Sequence, residues 1–241
     1  MKTVGIVAHS AEGASLCFLE ACRGGSEALG PFMHPTIVLS AVPMALSMPG
    51  WESGDHTTIA RHLAEGVRRV ADAGADLYVC PDNTAHIVLE TIAERLPIPG
   101  LHIADVVCAE AARRGFRRVG LLGTRWTMTG PVYERALAAR GMERLIPDAD
   151  TRSMVQAAIF DELCRGVFRP ETTRRFIDAI EQLRSRGADC VVLGCTEIPL
   201  IINEGNAPLP VLDSTRLLAR DAVRISIDTA ALTVRGGWIR V

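Results

Sequence analysis

Two similar α/β lobes, each a parallel sheet flanked by helices, form the architecture that this sequence predicts. Three observations predict it. Short, nearly continuous apolar runs alternate with helical periodicity along all 241 residues, as parallel strands buried on both faces and joined by right-handed crossovers require. Two segments repeat one layout, an apolar strand breaking into a polar tip and then a helix: Asp76 to His86, and Asp189 to Leu200. Each follows a helix that ends in Gly-Ala-Asp, at Gly74 to Asp76 and Gly187 to Asp189. Pro97-Ile98-Pro99-Gly100 marks a crossing between halves, and a second crossing is expected near Asn206 to Pro210. The expected lobes are residues 1–98 plus 212–241, and residues 99–211.

The elements follow in order. Strands are expected at 3–8, 36–42, 76–80, 100–103, 118–123, 143–146, 189–194 and 209–212. Helical periodicity fills 14–23, 57–73, 84–96, 105–114, 128–140, 151–165, 171–186 and 214–226. Polar residues stand where helices begin: Asp105, Asp148 to Thr151, and Ser214. Gly74, Gly115, Gly141 and Gly187 stand where helices end. The C-terminal Arg235 to Val241 carries no readable pattern. In sheets of this kind ligands bind at the carboxyl ends of strands. Both polar tips are therefore expected to face one cleft between the lobes, with Asp82 on one side and Cys195, 113 positions later, on the other.

Bulk composition narrows the chemistry. A net charge of −2 leaves no basic field for nucleic acid. No apolar run approaches the roughly 18–20 residues that span a bilayer. Met1 to Val7 reads straight into a strand without the regions of a signal peptide, so a cytoplasmic protein is expected. Seven cysteines, an odd number with no CxxC pair, argue against disulfides and zinc. Lys2 is the only lysine and precedes the first strand, at the wrong end for an α/β site. A pyridoxal-phosphate Schiff base has no partner there. Any amino-acid chemistry is expected to run without a cofactor.

Asp82-Asn83-Thr84-Ala85-His86, taken with Gly194-Cys195-Thr196-Glu197-Ile198, resembles the aspartate/glutamate racemase family. Family members show Cys-Asn-Thr in the first half and Gly-Cys-Thr in the second. Ser10 and Glu12 match a Ser-x-Glu after the first strand, and the stretches 101–105, 120–125 and 161–164 carry the likeness across nearly the whole chain. The resemblance implies a homodimeric, cofactor-independent racemase in which one group removes the Cα proton and another returns one to the opposite face. By position, Cys195 matches the second catalytic cysteine and Asp82 takes the place of the first. Asn83, Thr84 and Thr196 match residues that hold substrate carboxylates, and Ser10 matches a substrate-contacting loop position. Amides opening helices near 84 and 196 would add anion sites. His86 and Glu197 stand as possible supports, and His9 reads as a local residue.

Asp82 is the departure. A carboxylate is about 4.6 pKa units less basic than a thiolate, roughly 6 kcal/mol less drive for abstraction, part of which burial would restore by raising the Asp. The substrate side is expected to be an amino acid or small dicarboxylate. Three functions follow: a racemase with Asp82 as second base or as ammonium partner; a one-sided Cys195-dependent decarboxylase, lyase or dicarboxylate isomerase; or a binding module without catalysis. A catalytic Cys195 would need a thiolate favoured by a helix N-terminus behind it.

Overall fold

The computed structural model describes residues 1–241. The first elements are β1 (Val4–Ala8), α1 (Ala11–Leu29), β2 (Ile37–Ala41), α2 (Met48–Ser53), α3 (Thr57–Asp72), β3 (Leu77–Val79), α4 (His86–Ile92) and β4 (Gly100–Leu101). Next come α5 (Ile103–Arg113), β5 (Arg118–Gly123), α6 (Arg125–Thr129), α7 (Pro131–Ala138), β6 (Glu143–Leu145), α8 (Ala149–Asp161) and α9 (Pro170–Ser185). The chain ends with β7 (Cys190–Gly194), β8 (Val211–Asp213), α10 (Ser214–Ile227), β9 (Val234–Arg235) and β10 (Trp238–Ile239). No helix is long and apolar enough to cross a membrane.

The chain divides into two compact units, Met1–Val106 with Thr215–Val241, and Val107–Ser214. The first holds a sheet of order β2-β1-β3-β4-β10-β9, parallel except for the terminal β10–β9 pair. The second holds a parallel sheet of order β6-β5-β7-β8. The predicted fold class is the observed one, and the second sheet repeats the order of the first four strands. In the first unit Val4, Ile6, Leu77, Val79 and Leu101 bury one sheet face against Ala14, Cys17 and Ala21 of α1 and Leu218 and Ala222 of α10. In the second, Leu122, Val191 and Leu193 pack on Val155 and Ile159 of α8 and Phe176, Ile180 and Leu183 of α9.

The repeated Gly-Ala-Asp does the same work in both units. Gly74 and Gly187 adopt φ of 92° and 89°, a left-handed turn that a side chain would strain. The Asp two residues on then brackets the neighbouring strand. Asp76 Oδ2 accepts from Thr3 N–H at 2.7 Å while its own N–H donates to the Thr3 carbonyl. Asp189 Oδ2 accepts from the N–H groups of Arg117 and Arg118 at 2.7 and 3.1 Å, and its N–H donates to the Arg118 carbonyl.

Several boundaries differ from the sequence pattern. The helix expected over 128–140 is two, because Pro131 opens α7 with Gly130 before it. Over 84–96 only α4 and one tight turn at 93–95 form. The caps move as well. Asp105 lies inside α5, and the His102 ring takes the capping role, its Nδ1 accepting from the Asp105 N–H at 3.4 Å. Asp148 caps α8, accepting from Thr151 N–H at 2.8 Å. The unreadable C-terminus is the β9–β10 hairpin, turned by Gly236 and Gly237 at φ of 62° and 79°.

Candidate active-site residues

In the first unit, β1 and β3 pair in parallel with Val4 opposite Leu77 and Ile6 opposite Val79. Carried three residues past the strand end, that register sets His9 opposite Asp82. Asp82 Oδ2 lies 3.3 Å from His9 Nδ1. Asp82 Oδ1 accepts from the Ala85 N–H at 3.2 Å. The His9 side chain is 2% exposed and the Asp82 side chain 29%. His9 Nε2 is buried and has no hydrogen-bond partner. Sequence reasoning left His9 out, although β1 leads straight into it.

Burial pushes the Asp82 carboxyl up. The His9 hydrogen bond, the electrostatic pull of that ring, the Ala85 N–H and the nearby His86 ring outweigh burial, and the net shift is down. The increase expected from burial does not occur, because the tip is supplied with donors and the carboxylate keeps part of its surface wet. Asp82 is an ionised carboxylate at neutral pH.

His86 opens α4 and is fully buried. Its Nδ1 lies 2.9 Å from the Asp82 carbonyl, and its Nε2 accepts from the Ile103 N–H at 3.3 Å. The first contact requires an N–H and the second a lone pair, so the ring is the neutral Nδ1–H tautomer. Burial, with the electrostatic effect of the neighbouring His102 ring behind it, pulls its pKa down to about 3. The Trp238 ring stacks on it with centroids 5.7 Å apart, and the His102 ring meets its edge at 4.8 Å. His102 Nε2 in turn lies 3.1 Å from Glu90 Oε1. His86 thus pins the backbone of the Asp82 tip. Ser10 caps α1, its Oγ accepting from the Gly13 N–H at 3.0 Å. Asn83 and Thr84 are buried between Asp82 and α4.

In the second unit, β7 ends at Gly194 and Cys195 follows within the core. Its thiol donates to Glu197 Oε2 at 2.9 Å. The other oxygen, Glu197 Oε1, is buried without a partner. Burial first, and the Glu197 charge and hydrogen bond second, push the Cys195 thiol well up. The thiolate expected from a helix N-terminus is not favoured, because only a three-residue turn, Ile198–Leu200, follows. Behind Thr84 the helix has seven residues and begins two positions later than expected. Neither tip therefore offers the amide array of a long helix. Thr196 is buried beside Cys195. Thr124, after β5, holds the place that the β5–β7 register sets opposite Cys195, and it caps α6 as Ser10 caps α1.

Lys2 Nζ donates to the carbonyls of Ala230 at 3.0 Å and Asp228, at the amino end of β1. The chain's single lysine is thereby held at the end of its sheet opposite to the Asp82 tip. No group of three His, Cys, Asp or Glu side chains has the arrangement of a metal site.

Residues 11–222 match the model of the Asp/Glu/hydantoin racemase family. The broad specificity amino-acid racemase RacX of Bacillus subtilis is 24% identical over 70% of this chain and 73% of its own length. A glutamate racemase of Aquifex aeolicus is 27% identical over 68% of this chain, which spans only 63% of that enzyme. The crystal structure of a candidate Asp/Glu racemase from Yersinia pestis is 30% identical, with a TM-score of 0.85 over 95% of this chain and all of the other. With the fold and both strand-end motifs in place, the chain belongs to the Asp/Glu/hydantoin racemase family and is an enzyme of the racemase class.

Proposed function

We propose that this enzyme interconverts the enantiomers of amino acids, acidic ones or their relatives, by moving the Cα proton without a cofactor. One observation carries the reading: the two equivalent strand ends rest in opposite protonation states. The Asp82 end is ionised and paired with an imidazole. The Cys195 end holds its proton as a thiol against Glu197. Racemisation by two groups needs one proton acceptor and one donor at the start of each turnover. In this reading the Asp82 end accepts from one face, and the thiol gives its proton to the other. Asn83, Thr84 and Thr196 hold the substrate carboxylates, Ser10 closes the loop beside them, and His86 and Glu197 fix the two tips. The reading includes a cytoplasmic homodimer.

The resting asymmetry also supports a second reading. A poor base opposite a protonated thiol suits one-sided chemistry, in which a substrate loses carbon dioxide or an α-substituent and Cys195 protonates the carbanion. One experiment separates the two. Each enantiomer of aspartate, glutamate, alanine and arginine is incubated in D2O, and deuterium at Cα and carbon dioxide release are followed. Racemisation predicts deuterium in both enantiomers, with a loss of about 100-fold or more in Cys195→Ala. Carbon dioxide without Cα exchange would establish the second reading instead.

A further inference from the structure

His9 is the buried polar group that the reading above leaves unused. Its ring is held on one side only. Nδ1 meets Asp82 Oδ2 at 3.3 Å, while Nε2 is enclosed and bonded to nothing. A buried polar atom without a partner keeps its desolvation cost uncompensated, so it calls for a transient partner. The Asp82 carboxylate, by accepting from Nδ1–H, sets the tautomer and leaves the Nε2 lone pair available. Asp82 itself is already engaged at both oxygens, by His9 and by the Ala85 N–H. An ionised carboxylate so satisfied is a weak proton acceptor; an imidazole backed by a carboxylate is a far better one.

We propose that His9 is the catalytic residue that takes the Cα proton on the Asp82 side, through Nε2, and that Asp82 is its positioning residue. This rests on the racemase reading. In the step, the Cα–H bond breaks and its electron pair stays on the substrate, delocalised into the α-carboxylate. The proton forms a new N–H bond at Nε2, and the imidazolium charge is met by Asp82. The Cys195 S–H bond then breaks and delivers its proton to the opposite face of Cα, leaving a thiolate. After product leaves, the imidazolium releases one proton to water and the thiolate takes one up, restoring the start. No oxidant or reductant enters.

The test uses the full-length enzyme and each enantiomer of aspartate and glutamate in D2O. His9→Asn keeps an N–H to meet Asp82 but has no second ring nitrogen. It is expected to lose Cα exchange of one enantiomer by about 100-fold or more, while Cys195-dependent exchange of the other enantiomer persists. His9→Gly is expected to regain that exchange with added imidazole and not with added acetate. His9→Asn exchanging both enantiomers at the wild-type rate would overturn the proposal and leave Asp82 as the base. Equal loss on both enantiomers, with no response of His9→Gly to imidazole, would overturn it in favour of a structural role. Failure of the unmodified enzyme to exchange any enantiomer would end the racemase reading itself, and the proposal with it, before a variant is made.

Discussion

A thiol that donates to a carboxylate 2.9 Å away is a proton donor, not a resting nucleophile. For Cys195, burial sets the larger part of that state and Glu197 the next part. Glu197→Gln removes the charge and keeps the volume, so the Cys195 thiol is expected to ionise at lower pH. The pH at which iodoacetamide reaches half its maximal rate at the Cys195 peptide, followed by mass spectrometry because the chain has seven cysteines, should fall. An unchanged or higher midpoint would mean that the carboxyl group does not act on this sulfur. The sequence showed Cys195, Asp82 and Glu197 because they sit in a local motif. It hid His9 because the partnership with Asp82 spans 73 residues. Only the β1–β3 register, with Val4 opposite Leu77, brings those two loops together. The electrostatic sign at each tip was equally hidden. It depends on which donors surround a side chain, and a reference pKa contains none of them.

Strands β3 and β4 meet through a close approach that no periodicity reveals. A Cβ on Gly100 would lie 2.4 Å from Tyr78 Cζ, and Tyr78 is fully buried, so its ring has no room to yield. Gly100→Ala is expected to lower unfolding stability by about 1–3 kcal/mol through overpacking, read from urea titration. In a Tyr78→Leu background, which lacks the ring, the cost should shrink towards zero; an equal cost in both backgrounds would show that the strain lies elsewhere. The Tyr78 hydroxyl is buried without a partner. Tyr78→Phe is therefore expected to leave stability unchanged or raise it by about 1 kcal/mol. The same region shows why some elements were readable and others not. Strands at 118–123 and 190–194 are long apolar runs whose pattern survives any context. The β9–β10 hairpin has two residues per strand, and only Gly236-Gly237 before Trp238 signals it. Its role is tertiary: Trp238 pairs with Gly100 and stacks on His86.

Both units share one strand order and one Gly-Ala-Asp clamp, and the whole molecule's response to pH follows from the buried titratable groups that each encloses. In the first unit His86 is buried neutral, its pKa pulled from 6.5 down to about 3. The unfolded chain binds that proton first as pH falls. Stability from this group is therefore complete above about pH 6.5 and declines as pH drops towards 3, at up to about 1.4 kcal/mol per pH unit. Asp82, lowered by its donors, contributes in the same direction on the acid side. On the alkaline side the signs reverse. Cys80 in the first unit, and Cys195 and Tyr133 in the second, are pushed up by burial. Their unfolded forms ionise first, so stability is complete below about pH 9 and falls above it. The expected profile is a plateau between roughly pH 7 and 8.5 with a decline on each side. Urea unfolding across pH 4 to 10 measures it. His86→Gln loses the ring's two backbone contacts, so it should be less stable at pH 7 but flatter between pH 6 and 4. An acid decline as steep as the wild type's would assign that limb to groups other than His86.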